Sequence, residues 1–142
     1  MKYEMHQLCE VRAQLEKFNE RHACDAQWVE SHGARHDSDS QCVIATREGD
    51  DKVVGYMIIV PRTCSSDVMC IYSTVVRRGM RKQGVCRAML DLAKEHYSRF
   101  WSVCSISVAP VWLRLGATVK PRQGFYAEYE LEINATPVKQ WS

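Results

Sequence analysis

The hydrophobic pattern is clearest in residues 67–96, where a β-type run is followed by a helical one. Residues 68–76 (Val-Met-Cys-Ile-Tyr-Ser-Thr-Val-Val) are apolar and rich in β-branched side chains, which predicts a buried strand. Residues 77–84 are basic and contain glycine, which predicts a turn. Four apolar residues then recur at helical spacing and predict an amphipathic helix: Val85, Met89, Leu92 and Ala93.

The first third of the chain predicts mainly helix. Apolar residues at intervals of three and four predict a helix over residues 5–22: Leu8, Val11, Leu15 and Phe18. Residues 26–31 predict a short second helix with Trp28 facing inward, and residues 33–41 predict a loop rich in Ser, Asp and His. A strand before the first helix could come only from residues 1–5.

The remaining pattern predicts mostly strands. Residues 42–46 and 53–60 form a pair of strands joined by a hairpin turn at 48–52. After the amphipathic helix we expect a strand over residues 100–108, a short helix over 109–117, and closing strands over 118–120 and 126–133, followed by a loosely ordered tail at 134–142. A length of 142 residues suits one α/β domain.

The basic turn between the central strand and the helix has the features of an anion site. The first amides of a helix have no partner inside the helix, and the helix dipole makes that end electropositive. Gly84 allows the backbone to approach a ligand closely, and Arg81, Lys82 and Arg87 add positive charge. Strand, turn and helix together therefore predict a phosphate-binding site.

Residues 81–86 (Arg-Lys-Gln-Gly-Val-Cys) resemble the Arg/Gln-x-x-Gly-x-Gly/Ala signature of GNAT-superfamily N-acetyltransferases, which holds the pyrophosphate of acetyl-CoA. Cys86 departs from the usual Gly or Ala but is small. Residues 54–57 (Val-Gly-Tyr-Met) resemble a hydrophobic-Gly-hydrophobic strand of the same family. The resemblance covers roughly residues 42–133.

This resemblance implies a single GNAT-like domain over residues 1–142, of the α/β (α+β) class, with a mixed, mostly antiparallel central sheet flanked by helices. Its segments would be a helical substrate-side region (1–41), a core (42–133) and a tail (134–142). The central strands would splay apart at the cofactor site.

The resemblance also implies acetyl-CoA as co-substrate and an amine acceptor, either a small molecule or a protein. Backbone amides of Val75 and Val76 would polarise the thioester carbonyl. Trp28, Cys70 and Trp112 would border the acceptor. The residues expected to bind acetyl-CoA are Val75, Val76, Arg81, Lys82, Gln83, Gly84, Val85, Cys86 and Arg87.

The catalytic groups are less well defined. The family often places a Glu at the positions of Cys70 or Tyr72, so Tyr72 is either a proton relay or a wall of the substrate pocket. The family's usual Tyr, the general acid, corresponds to Trp112, whose indole cannot protonate a thiolate. The possible replacements for it are Tyr126, Tyr129 and Ser107. Tyr72 and Tyr126 are the predicted catalytic residues.

Charge and cysteine content limit the other possibilities. A net charge of +2 gives no general argument for nucleic-acid binding, and seven scattered cysteines without a Cys-x-x-Cys pair favour a reduced, cytoplasmic protein. The apolar runs are too short to cross a bilayer. We expect a monomer or homodimer without a metal, although four residues have ligand types that suit zinc: Cys24, His32, His36 and Cys42.

Two other functional classes stay open from sequence. The missing Glu and Tyr favour a catalytically weak or inactive CoA-binding regulatory or assembly protein, and the shortened last helix resembles that of compact phage-type members. A nucleic-acid binder that uses the basic cluster would show affinity that falls steeply with salt.

Overall fold

The computed structural model describes residues 1–21, 40–61, 67–124 and 128–135. Seven strands and three helices lie in these ranges, with a single 3-10 turn at Arg78–Met80. The strands are β1 (Lys2–Gln7), β2 (Gln41–Thr46), β3 (Val53–Pro61), β4 (Met69–Val76), β5 (Arg99–Ser105), β6 (Thr118–Pro121) and β7 (Glu128–Asn134). The helices are α1 (Leu8–Arg21), α2 (Val85–His96) and α3 (Ala109–Arg114).

The strands follow the order β1-β2-β3-β4-β5-β7-β6 in a mixed, mostly antiparallel sheet. Strands β1–β2, β2–β3, β5–β7 and β6–β7 pair antiparallel, whereas β4 and β5 pair in parallel. This confirms the predicted α/β class. The chain divides into two compact units, Met1–Val60 with Tyr72–Ala93 (unit 1) and Pro61–Ile71 with Lys94–Ser142 (unit 2).

The core of unit 1 forms because α1 presents one apolar face. The buried side chains of that face are Leu8, Val11, Leu15 and Phe18. They cluster with apolar residues of β2 and β3. Phe18 and Tyr56 meet edge to face with 5.7 Å between ring centroids. The Tyr56 hydroxyl donates a 2.9 Å hydrogen bond to Oδ1 of the fully buried Asn19, which supplies a polar partner inside this core.

In unit 2, the start of β4 pairs with β5 over a short stretch. The parallel register joins Met69 to Phe100 and Cys70 to Trp101, and the Ser102 hydroxyl donates to the Ile71 carbonyl at 2.6 Å. β5 then pairs with β7 along its whole length, from Arg99 to Ser105. The short α3 begins at Ala109 with proline in its first turn, which suits helix initiation.

Three predicted elements are wrong at their ends. The helix predicted over residues 109–117 ends at Arg114, because the chain leaves the helical conformation at Gly116, which has φ +95°. Residues 5–7 belong to β1 and not to the first helix, because Met5 pairs with Val43 and the strand continues to Gln7 opposite Gln41. The strand predicted over residues 100–108 ends at Ser105, where the Val108 amide donates to the Ser105 carbonyl at 3.1 Å and closes a turn. The helix predicted at 26–31 lies outside the described residues.

We expect Tyr56→Phe to destabilise the protein by about 1–3 kcal/mol, because Asn19 loses a buried donor. Urea denaturation of both proteins measures this difference. Combining the change with Asn19→Leu should cost less than the sum of the two single changes, since the buried amide is then absent as well. A Tyr56→Phe variant as stable as the parent would contradict the role given to this hydrogen bond.

Candidate functional site

The turn between β4 and α2 has an unusual backbone. Lys82 and Gly84 both have positive φ, +65° and +79°, and enclose Gln83. Positive φ is uncommon for a residue with a side chain, so Lys82 is a strained position. Alternation of left-handed and ordinary residues turns successive N–H groups toward one place, an arrangement that binds anions.

Helix α2 adds further donors at the same turn. The Ala88 amide donates to the Gly84 carbonyl at 3.0 Å, so this is the first bond of the helix. The amides of Val85 and Cys86 precede it and have no partner within the helix. The first turn of α2, described in full, contains no acidic residue that would repel an anion.

The geometry leaves space for a ligand beside Gly84. A Cβ placed on this glycine finds no atom within 4 Å. The surrounding basic side chains are exposed: Arg78, Arg81, Lys82 and Arg87. Open space, unbonded helix amides and positive charge are what a pyrophosphate requires, so the residues fit the group that the sequence predicted.

The turn is also tied to the end of β4. Arg81 Nε donates to the Val76 carbonyl at 3.2 Å, and the Gln83 side-chain amide donates to the Gly79 carbonyl at 3.3 Å. The Arg77 amide donates to the Val54 carbonyl of β3 at 2.7 Å. The structure therefore brings the predicted turn residues together with Val76. The Arg81–Val76 bond was missed, because sequence carries no signal for a side chain that bonds a backbone carbonyl.

The predicted catalytic and substrate residues are distributed over the chain. In unit 1, Tyr72 is 46% exposed on β4. In unit 2, Cys70 is half-buried, while Trp112 is a residue of α3 and is only 7% exposed. Tyr129, a possible general acid, is half-buried opposite Cys104. The predicted residues Trp28 and Tyr126 lie outside the described residues.

Burial makes three of the described thiols poor nucleophiles. Desolvation raises the pKa of the Cys42, Cys86 and Cys104 thiols, and the charge of Arg87 offsets this only in part at Cys86. The thiolate is the reactive form, so covalent catalysis by Cys86 or Cys104 is disfavoured. Among the described residues, no group of three His, Cys, Asp or Glu side chains could hold a metal ion.

Comparison with known proteins identifies the family. The sequence model of the acetyltransferase (GNAT) family matches residues 3–128, most of the chain. This match defines a protein of the acetyltransferase class, and the chain belongs to the GNAT family. No curated protein sequence matches it significantly.

Solved structures share the fold at low sequence identity. A GNAT-family protein from Desulfovibrio desulfuricans superposes with a TM-score of 0.75 at 16% identity, covering 95% of this chain and 99% of that one. The ribosomal-protein-S18-alanine N-acetyltransferase of Escherichia coli gives 0.73 at 12% identity, covering 98% and 97%. An aminoglycoside 6'-N-acetyltransferase complexed with coenzyme A gives 0.71 at 12% identity, covering 96% and 98%.

A membrane-spanning helix is absent from the part of the chain that the structure describes.

We expect the exposed Cys9 to be alkylated by iodoacetamide about tenfold faster than Cys42 or Cys86 at pH 8, because the buried thiols have raised pKa values. Peptide mapping by mass spectrometry measures each rate, and a Cys9→Ser variant identifies the fast phase. Rapid labelling of Cys86 would show that this thiol is reactive.

Proposed function

We propose that this protein transfers the acetyl group of acetyl-CoA to an amine. The observation that carries the proposal is the turn after β4, where Lys82 and Gly84 have positive φ at the start of α2. A backbone of this kind turns successive N–H groups toward one place, and a Cβ added at Gly84 would meet no atom of a non-neighbouring residue within 4 Å. A lysine with positive φ is uncommon, and such strained residues cluster at functional sites.

The pyrophosphate of acetyl-CoA would be held at this turn. The amides of Val85 and Cys86 donate to its oxygens, Gln83 and Gly84 contribute backbone, and the positive charge of Arg81, Lys82 and Arg87 neutralises it. Acetyl-CoA supplies an acyl thioester when bound. Similarity to a structure that is complexed with coenzyme A supports this assignment.

The acetyl group would lie near Val75 and Val76, whose amides donate to the thioester oxygen and stabilise the negative charge that develops on it. Deprotonation of the acceptor amine and protonation of the leaving thiolate need separate groups. Tyr72 is exposed enough to contact an acceptor or a relaying water. Tyr126 is the proposed general acid, and Tyr129 and Ser107 are the alternatives for that role. The residues proposed to border the acceptor are Trp28, Cys70 and Trp112.

We further propose that the whole chain acts as one domain in the cytoplasm, as a monomer or homodimer, without a metal. The similarity to the solved structures of two N-acetyltransferases supports turnover over the alternative of a regulatory CoA-binding protein. The proposed acceptor is either a small-molecule amine or an amine of a protein. Incubation of candidate amines with acetyl-CoA, followed by mass spectrometry, distinguishes the two.

We expect Gly84→Asp to weaken CoA binding by about a hundredfold or more, because the new carboxylate stands against the pyrophosphate. Calorimetric titration of acetyl-CoA measures the dissociation constant. Gly49→Asp is the matched control, since Gly49 also has positive φ and open space but lies in the β2–β3 hairpin. Equal affinity in Gly84→Asp and the parent would show that the site is elsewhere.

A second expectation concerns the catalytic tyrosines. Tyr126→Phe should lower kcat about tenfold to a hundredfold with little change in the affinity for acetyl-CoA, because only proton donation to the leaving thiolate is lost. Tyr72→Phe should leave kcat near that of the parent if Tyr72 only lines the pocket, and should lower it if Tyr72 relays the proton. An unchanged kcat in Tyr126→Phe would remove Tyr126 from the mechanism.

A further inference from the structure

Gly55 differs from the other described glycines in its surroundings. Where the backbone has positive φ, an added Cβ meets open space, as at Gly84. Gly55 has an ordinary φ, but a Cβ built on it lies 2.9 Å from the carbonyl oxygen of Val75 and 3.4 Å from Cα of Val76. Cβ atoms do not approach a backbone oxygen so closely. Glycine at this position is therefore required by the closeness of two strands and not by its own conformation.

A side chain at Gly55 would displace the end of β4 and leave β3 in place. β3 is buried from Val54 to Val60, and its residue 55 pairs with Ala45 of β2. The part of β4 from Tyr72 to Val76 is half-buried or exposed, so its side chains are less tightly packed than those of β3. An extra methyl group would therefore move Val75 and Val76 by several tenths of an ångström.

The end of β4 is held from both directions. On the β3 side, the Val54 carbonyl accepts a 2.7 Å hydrogen bond from the Arg77 amide next to the close contact at Gly55. On the side of the basic turn, Arg81 Nε donates to the Val76 carbonyl at 3.2 Å. These contacts fix the backbone of Val75 and Val76 between β3 and the turn.

We propose that Gly55 is a positioning residue for the thioester carbonyl. This inference rests on the proposed acetyl transfer. By letting β3 lie against the Val75 carbonyl, this glycine places the Val75 and Val76 amides at the distance from the thioester oxygen that polarisation requires. Donors aimed at a developing oxyanion act over a narrow range of distance, so a displacement of a few tenths of an ångström weakens them. Gly55 itself contacts neither substrate nor cofactor in this role.

The test compares Gly55→Ala with Gly49→Ala. Gly49 lies in the β2–β3 hairpin, outside the basic turn, and has no atom within 4 Å of an added Cβ, so the same methyl group is added there without a clash. For each protein, calorimetry gives the dissociation constant of acetyl-CoA. Isotope-edited infrared spectroscopy of bound acetyl-CoA, carrying ¹³C at the thioester carbonyl, gives the stretching frequency that reports polarisation.

We expect Gly55→Ala to bind acetyl-CoA within about threefold of the parent, because the clash falls on Val75 and Val76 and not on the amides at the start of α2 that would hold the pyrophosphate. Its carbonyl band should lose most of the downshift that binding produces in the parent and approach the frequency of free acetyl-CoA. Gly49→Ala should match the parent in both measurements. A bound Gly55→Ala with the parent's frequency would overturn the role of Gly55 and leave the proposed function intact.

No binding of acetyl-CoA by the parent would instead overturn the proposed function, and this inference with it. If Gly55→Ala does not fold, Arg81→Lys tests the same restraint from the other side, because it keeps the charge but removes the Nε bond to the Val76 carbonyl. Bound Arg81→Lys should also lose much of the downshift. An unchanged frequency in that variant would show that the restraint on β4 does not set polarisation.

Discussion

The left-handed backbone of the turn after β4 is the constraint on which the candidate site depends. Lys82 has φ +65°, a conformation that costs a residue with a side chain about 1–2 kcal/mol. The surrounding hydrogen bonds hold it there, from Arg81 to the Val76 carbonyl and from Gln83 to the Gly79 carbonyl. Because strand, turn and helix are joined in this way, the amides at the start of α2 keep a fixed direction.

Positive charge in this protein is concentrated at one turn. The chain as a whole carries a formal charge of only +2, yet the turn and the start of α2 collect exposed basic side chains and lack acidic ones in the first helical turn. A polyanion as long as a nucleic acid gains from charge spread over a surface, whereas a compact pyrophosphate gains from donors that converge. The geometry at Gly84 favours the compact anion.

Most of the sheet could be predicted from sequence because its strands are short apolar runs between glycine-containing turns, as in residues 53–60. The ends of the strands and helices were harder to predict. Met5 lies on the apolar side of a helical pattern, but its pairing with Val43 in β1–β2 outweighs that local preference. The turn between β4 and α2 could be recognised from sequence because its basic residues and Gly84 are contiguous, and its binding of an anion stays a prediction, whereas catalytic groups depend on residues far apart in the chain.

Gly55 shows a different limit of sequence reasoning. A glycine inside an apolar strand signals a close approach of some kind, but only the structure reveals that its neighbour is the Val75 carbonyl. In the same way, the burial of Trp112 follows from the packing of α3 and not from its match to a family position.

The low reactivity of Cys42 and Cys86 matters for the product of the proposed reaction. The proposed acetyl transfer would release coenzyme A, a free thiol that oxidises to disulfides, and such disulfides modify proteins through exposed thiolates. Cys42 and Cys86 are shielded and hard to ionise, so each exchanges slowly with a disulfide. Cys9, exposed on α1, is the described cysteine that takes up such adducts first. If the proposed function holds, a cysteine-rich chain could in this way complete many reaction cycles before a disulfide of coenzyme A modified Cys86 at the start of α2.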